Sequence, residues 1–303
     1  MNVRIGTRGS RLALVQAEEV ASALRAAGAQ VEVTVIRTSG DRLAQVALAD
    51  FGGKALFVKE IEEALLSGQV DVGVHSLKDL PSVLPEGLTL AAFPPREDPR
   101  DVLLTRTGTG WSALPAGAAV GTSSLRRRAL VLAHRPDLRA EPIRGNVETR
   151  LGKMAAGGYD ALVLASAGLR RLGLHPPHAV LLETEEFVPA VGQGLLAVEA
   201  RQADRELLEL LGALDDTRSR FEATAERAFL ARLGAGCHTP VAGHARLAGS
   251  VLSLTGVVAS VDGTTLLRTT ASGPAAAAEQ LGTALADNLL AKGAKALLDA
   301  SHR

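Results

Sequence analysis

Ile5-Gly6-Thr7-Arg8-Gly9-Ser10 and Val120-Gly121-Thr122-Ser123-Ser124 share one design. Each carries a short apolar stretch into a glycine-containing turn rich in hydroxyls, at the point where a helical pattern begins. Ser10 is a suitable N-cap, because its hydroxyl can accept from a free backbone N–H of the first turn. The helix it starts runs to about Arg25, with Leu12, Val15, Val20 and Leu24 as its apolar set. A second pair of segments repeats in the same order. Asp71-Val72-Gly73-Val74-His75-Ser76 is echoed by Asp160-Ala161-Leu162-Val163-Leu164-Ala165-Ser166. Two echoes in register argue for an internal repeat, and so for two similar α/β lobes.

Working outward, Val31, Val33 and Val35 alternate with polar residues as a strand does. Residues 39 to 53 contain Gly40, Gly52 and Gly53 and read as a loop. A helix follows to about Leu66, then a strand from Asp71 to Val74. This alternation predicts a parallel sheet covered by helices. Pro94, Pro95 and Pro99 mark a crossing into the second lobe, and 187–194 marks a crossing back. The strand Leu195–Ala200 and helix Arg205–Leu214 return to the first lobe. From Phe221 the pattern changes to a helix ending at Leu233, strands around Val241, 251–258 and 264–270, and an Ala-rich helix from near Ala275. The expected organisation is lobe 1 over 1–95 and 195–214, lobe 2 over 100–190, and a C-terminal α+β domain over 217–303. Ligands bind beyond the carboxyl ends of strands in such sheets, so a cleft between the lobes is the expected site.

Composition narrows the function. Formal net charge is zero over 303 residues and aromatics make up 3%, which argues against a nucleic-acid binder with stacking platforms. No apolar run approaches the ~20 residues that span a bilayer. The first residues lack a basic stretch followed by an apolar one, so a cytoplasmic protein is expected. The single cysteine excludes an internal disulfide. Zero net charge conceals a local excess: between Thr122 and Arg150 stand Arg126, Arg127, Arg128, Arg135, Arg139, Arg144 and Arg150 against Asp137, Glu141 and Glu148.

That segment is a candidate anion site. Thr122, Ser123 and Ser124 place hydroxyls at a helix start, where the backbone N–H groups and the helix dipole favour negative charge. Arg8, Arg126, Arg127, Arg144 and Arg150 can each bind a carboxylate through two N–H groups. The same residues also suit ordinary caps and solvated cations; two related motifs together favour a ligand with several carboxylates or phosphates. Gly52-Gly53-Lys54 lacks the rest of a phosphate loop, leaving Lys54 as a cation on a loop. In Val74-His75-Ser76-Leu77-Lys78-Asp79-Leu80-Pro81 a strand ends on a cation beside an anion. Lys78 can hold a carboxylate, and Asp79 can accept N–H bonds or stabilise developing positive charge; a solvated surface pair is the plainer reading. Cys237, in the Gly-rich loop 234–240, is either a small buried apolar residue or an accessible thiol. No second Cys or suitably spaced His supplies a metal site, and none is expected.

Taken together, these segments resemble hydroxymethylbilane synthase (porphobilinogen deaminase). The resemblance rests on GTRGSRLAL (6–14), GGKALFVKE (52–60), VHSLKDLP (74–81), REDPRDV (96–102), GTSSLRRR (121–128), RGNVETRL (144–151), LASAGLRRLG (164–173), PAVGQG (189–194) and GAGCHTP (234–240). It implies two periplasmic-binding-protein-like lobes, a third α+β domain and a monomer. It implies a dipyrromethane cofactor joined by a thioether to Cys237, and Asp79 as the catalytic aspartate. It assigns cofactor and substrate binding to Arg8, Ser10, Lys54, Lys78, Thr122, Ser123, Ser124, Arg126, Arg127, Arg144, Gly145, Arg150 and Arg171, with Asp41 and Phe57 on a flap. Asp50 departs from the family, which often has a second lysine near there. The implied substrate is porphobilinogen and then the growing polypyrrole, a polyanion that suits an Arg-lined cleft. A two-lobed organic-anion binder is the competing class; it needs the cleft but neither Asp79 nor Cys237.

Overall fold

The computed structural model describes residues 1–38, 58–236 and 239–301. Asp41, Lys54, Phe57 and Cys237 lie outside the described residues, as does Asp50. The chain divides into two compact units, Met1–Glu97 with Leu195–Arg220, and Asp98–Gly194 with Phe221–Arg303.

The first unit holds strands β1 (Asn2–Thr7), β2 (Gln30–Val35), β3 (Val72–Ser76), β4 (Leu88–Ala92) and β10 (Leu196–Arg201), with helices α1 (Arg11–Ala26), α2 (Lys59–Leu66) and α6 (Arg205–Gly212). Its sheet runs β2-β1-β3-β10-β4. β1 is parallel to β2 and β3, whereas β10 runs antiparallel to both β3 and β4. One face packs Val3, Ile5, Val72, Val74 and Val198 against Val20 and Leu24 of α1 and Leu207 and Leu211 of α6. Burying one such side chain completely stabilises the fold by about 1.5–3 kcal/mol.

The second unit holds the second lobe. Strands β5 (Asp101–Thr105), β6 (Ala119–Gly121), β7 (Arg139–Glu141), β8 (Ala161–Ala165) and β9 (Ala179–Leu182) form a sheet in the order β7-β6-β8-β5-β9. β6 is parallel to β7 and β8; β5 is antiparallel to β8 and β9. Helices α3 (Leu125–His134), α4 (Val147–Ala155) and α5 (Ser166–Arg171) cover it. The two sheets therefore share one topology, with β1, β2 and β3 matching β6, β7 and β8. The repeat read from the two echoes is present in the strand order.

The expectation of a parallel sheet is corrected. Each sheet is mixed, with one antiparallel strand inserted between its third and its edge strand. That strand is the one supplied by a crossing of the chain, β5 after the proline-rich segment and β10 after 187–194.

The same unit contains helix α7 (Thr217–Leu233) from Phe221 onward, strands β11 (Val241–Ala248), β12 (Val251–Ala259) and β13 (Leu266–Pro274), and helices α8 (Ala278–Ala291) and α9 (Ala294–Ala300). The strands form an antiparallel sheet, and Phe229, Leu252, Leu254, Leu285 and Leu289 fill the core beside it. A Cβ on Gly256 would lie 2.7 Å from the Phe229 ring, and one on Gly243 would lie 2.8 Å from Val191 Cγ2 and 3.2 Å from the same ring. The Ala-rich helix is interrupted at Gly293, whose φ of 94° few other residues adopt. Glu226, buried in this domain, accepts from Gly192 N at 2.6 Å and Ala245 N at 2.8 Å, tying the 189–194 turn to β11. No described helix is long and apolar enough to cross a membrane.

Candidate functional site

In the first unit the carboxyl ends of β1 and β3 lie side by side. Ser10 caps α1 there, its Oγ accepting from Ala13 N at 3.3 Å. The buried Thr7 donates to the Ala13 carbonyl at 3.1 Å and fixes the strand-to-helix turn. β3 ends in a tight turn, Leu77–Asp79, anchored on both sides. Leu77 and Leu80 are each 2% exposed, Leu77 N donates to the Leu195 carbonyl at 3.0 Å, and Leu80 N closes the turn onto Leu77 O at 3.1 Å. Between the anchors Asp79 is exposed and Lys78 half-buried. The proline that follows cannot continue a helix and holds the exit extended. Arg8, Ser10, Gln16, His75 and Asp79 line one cavity. Gln16, almost fully buried, donates from Nε2 to Ser76 Oγ at 2.8 Å.

The second unit places its predicted residues at the matching edge of the other sheet. Ser124 caps α3, accepting from Arg127 N at 3.4 Å. Thr122 Oγ1 accepts from Ser124 N at 3.2 Å. Ser123 reaches across to Ile143, which brings the start of α3 beside Arg144, Gly145 and the start of α4. Gly145 has a φ of 111°, and a Cβ on it would meet the Thr149 side chain at 2.6 Å. Asn146 caps α4 through Thr149 N at 2.8 Å, and Arg150 Nε donates to Gly145 O at 2.8 Å. Arg171, at the end of α5, donates to the Gly194 carbonyl at 3.2 Å.

Arg126 and Arg127 point into the protein rather than out of it. Because β5 is antiparallel, its first residue Asp101 lies at the same edge as the start of α3. Arg126 Nη1 is 2.7 Å from Asp101 Oδ2 and also donates to Val188 O at 2.8 Å; Arg127 Nε donates to Asp101 Oδ1 at 2.9 Å. Gln193 Nε2 donates to Pro99 O at 2.7 Å and to Asp101 Oδ1 at 3.1 Å. Burial alone would raise the Asp101 carboxyl, but the two guanidiniums outweigh it and hold it down to about 2. Burial, with the Arg127 charge, lowers Arg126, against the pull of Asp101.

Two family models match. One, described as "Porphobilinogen deaminase, dipyromethane cofactor binding domain", covers residues 3–209; the other, the C-terminal domain of porphobilinogen deaminase, covers 220–291. The chain belongs to the porphobilinogen deaminase family. Among its relatives, the porphobilinogen deaminase of Syntrophobacter fumaroxidans is 48% identical over 99% of this chain and 98% of its own. That of Roseiflexus sp. (strain RS-1) is 52% identical over 97% of each. A solved second substrate binding domain of a putative amino acid ABC transporter from Streptococcus pneumoniae is 13% identical, with a TM-score of 0.45 over 77% of this chain and 95% of that one.

The family's cofactor is dipyrromethane, whose pyrroles carry acetate and propionate groups. The second-unit cluster fits such a group. Two guanidiniums share one carboxylate, which leaves one positive charge in excess, and Arg126 Nε is buried with no hydrogen-bond partner among the described residues. A further carboxylate would answer both. Gly236 and Thr239, on either side of the 237–238 pair, bind one another through Thr239 Oγ1 to Gly236 O at 2.6 Å.

Reading the sequence alone missed Gln16, Asp101, Gln193 and the buried pair His75–Glu199. A common signal was present: each is a polar residue set within or beside an apolar run. Glu199 inside Leu195–Ala200 is the plainest case.

Proposed function

We propose that this chain is a working hydroxymethylbilane synthase, with Asp79 as its catalytic carboxylate and Cys237 as the attachment point of dipyrromethane. It condenses four porphobilinogen molecules head to tail with loss of ammonia, and water releases 1-hydroxymethylbilane. The observation that carries this reading is the match of both family domains across almost the whole chain.

Bound dipyrromethane supplies a nucleophilic pyrrole carbon, the primer on which the chain grows. Arg126, Arg127, Thr122 and Ser124, with Arg144 and Arg150 beside them, would hold its carboxylates. Ser123 and Gly145 shape that cradle. Arg8, Ser10, Lys54, Lys78 and Arg171 belong with them to the set that binds cofactor or substrate, and Asp41 and Phe57 to the flap. Asp79, held out from a turn whose neighbours are buried, presents a carboxylate to positive charge developing at pyrrole N–H groups. A fixed anion there stabilises that charge without reorganising during the reaction. Zero net charge and scarce aromatics speak against nucleic-acid binding, and membership of the family supports a monomeric cytoplasmic enzyme acting on small molecules.

The test is the intact mass of the denatured protein beside Cys237→Ser. An excess equal to one dipyrromethane, absent from the variant, is expected. On incubation with porphobilinogen the mass should then rise in pyrrole-sized steps. A mass that never rises would transfer the assignment to an anion-binding protein.

A further inference from the structure

Behind the cavity that Asp79 lines is a set of titratable groups that the reaction as described does not use. β3 sends Val72 and Val74 to the core against α1, and Gly73 and His75 to the opposite face, beneath α2. The His75 ring folds back over Gly73: a Cβ there would lie 2.8 Å from His75 Nε2. The glycine is thus the space in which the ring sits. From that position Nε2 meets Glu199 Oε2 at 3.0 Å, Glu199 being the partner of Gly73 across the β3–β10 register. Both side chains are buried, at 4% and 0% exposure. Glu62 of α2 is buried on the same side, and neither its Oε1 nor Glu199 Oε1 has a hydrogen-bond partner among the described residues. These groups are not arranged as a metal cluster.

The chemistry of the set is specific. Burial raises the Glu62 carboxyl, the Glu199 charge raises it further, and His75 opposes this in part. The 3.0 Å contact to Glu199 Oε2 suits the tautomer that carries its hydrogen on Nε2, in which Nδ1 is the accepting nitrogen. A buried carboxylate that orients an imidazole in this way is what makes a histidine an efficient proton acceptor. Among the described residues, the charged side chains that line the same cavity as the ring are Asp79 and Arg8.

We propose that His75 is a second proton-accepting group of this site, oriented by Glu199. This rests on the synthase reading. Each coupling forms one carbon–carbon bond and expels one proton from the ring carbon at which it forms. The C–H electron pair returns to the ring, the proton goes to Nδ1, and it leaves with the expelled ammonia as ammonium. Asp79 remains the anion that stabilises the charge before the proton departs.

The experiment uses the loaded enzyme. Wild-type turnover is measured first, so that failure of the synthase reading is separate from failure of this one. His75→Gln is expected to lower kcat at least tenfold, with KM within about twofold, and to remove one limb of the kcat–pH profile, in line with a general base worth 10²–10⁴-fold or less. Glu199→Gln should shift that limb. Wild-type kcat in His75→Gln, or a fall of equal size at every pH, would reduce His75 to a structural residue and overturn the proposal. Should the variants not fold, ring nitrogen NMR of wild type decides: a hydrogen on Nε2 is expected, and a neutral ring carrying it on Nδ1 overturns the assignment.

Discussion

The Ser123 hydroxyl donates to the Ile143 carbonyl at 2.7 Å and accepts from the Ile143 amide at 3.1 Å. One side chain thereby replaces a missing rung between the turn after β6 and the segment after β7. It sets the start of α3 beside the start of α4, where the two groups of arginines and hydroxyls meet. Ser123→Ala removes both bonds from a partly buried position and should cost about 1 kcal/mol in urea unfolding. Its larger effect should be on loading, with a smaller share of purified protein carrying the cofactor by intact mass. Full loading at unchanged stability would show that the turn holds its shape without the hydroxyl.

Asp101 is the counter-charge of the arginine pair, so its removal should be felt as folding before it is felt as binding. Asp101→Asn leaves two buried guanidiniums without their anion, a loss that typically costs about 3–5 kcal/mol. Arg127→Leu leaves Asp101 with Arg126 alone and should fall in the same direction by a smaller amount. The acid dependence follows from the sign of the shift. The folded carboxyl sits at about 2, below its unfolded value, so its contribution is complete above about pH 4. It is lost as pH falls from there through about 2, and it amounts to roughly 2 kcal/mol. Stability of the wild type measured between pH 5 and 2 should fall more steeply than that of Asp101→Asn. Parallel curves would remove the carboxylate from the account.

Much of this arrangement can be read from the residues, and the parts that cannot share a cause. Ser10 as a cap, the strand through Val72 and Val74, and the repeat are local patterns, set by side-chain spacing and turn chemistry. The mixed character of the sheets is not local. β5 and β10 arrive from the other side of a crossing, and nothing within Asp101–Thr105 or Leu196–Arg201 states which neighbour they will find. Arg126 and Arg127 show the same limit: their residue types announce a carboxylate, but its source within the chain, Asp101, depends on an antiparallel insertion. His75 and Glu199 are far apart in sequence and meet through sheet register. The loop read at 39–53 and the thiol of Cys237 lie outside the described residues.

Gly263 tests how the C-terminal domain supports the arginine helix. Its φ is 74°, and a Cβ would lie 2.5 Å from the Ala129 carbonyl oxygen and 2.7 Å from Ala133 N, both in α3. Gly249 is the control, with a φ of 60° and nothing within 4 Å. Gly249→Ala should cost only the left-handed backbone penalty, about 1–2 kcal/mol. Gly263→Ala must also move helix backbone, and should cost at least about 1 kcal/mol more, visible as a further drop of some 2–4 °C in Tm. Equal losses in the two variants would mean that the turn can lift off α3 freely.

Asp79 carries the sharpest functional expectation. The side chain is exposed, so its charge is not needed to satisfy any buried partner, and the anchors that place it are Leu77, Leu80 and the Leu195 carbonyl. Asp79→Asn keeps the size of the group and one accepting oxygen, removes the negative charge and turns the other oxygen into an N–H donor. Folding should therefore stay within about 0.5 kcal/mol of wild type, as surface substitutions do. Cofactor and porphobilinogen should still be held, since their carboxylates are assigned to the arginines and hydroxyls. Turnover should fall by about two to three orders of magnitude, the cost of removing one group that stabilises developing charge. Single-turnover rates on loaded enzyme, read by mass as pyrrole units are added, separate the chemical step from binding. A near-normal rate would take the catalytic role away from Asp79, whereas a slow rate with normal binding would show that its charge, and not its place in the turn, drives the coupling.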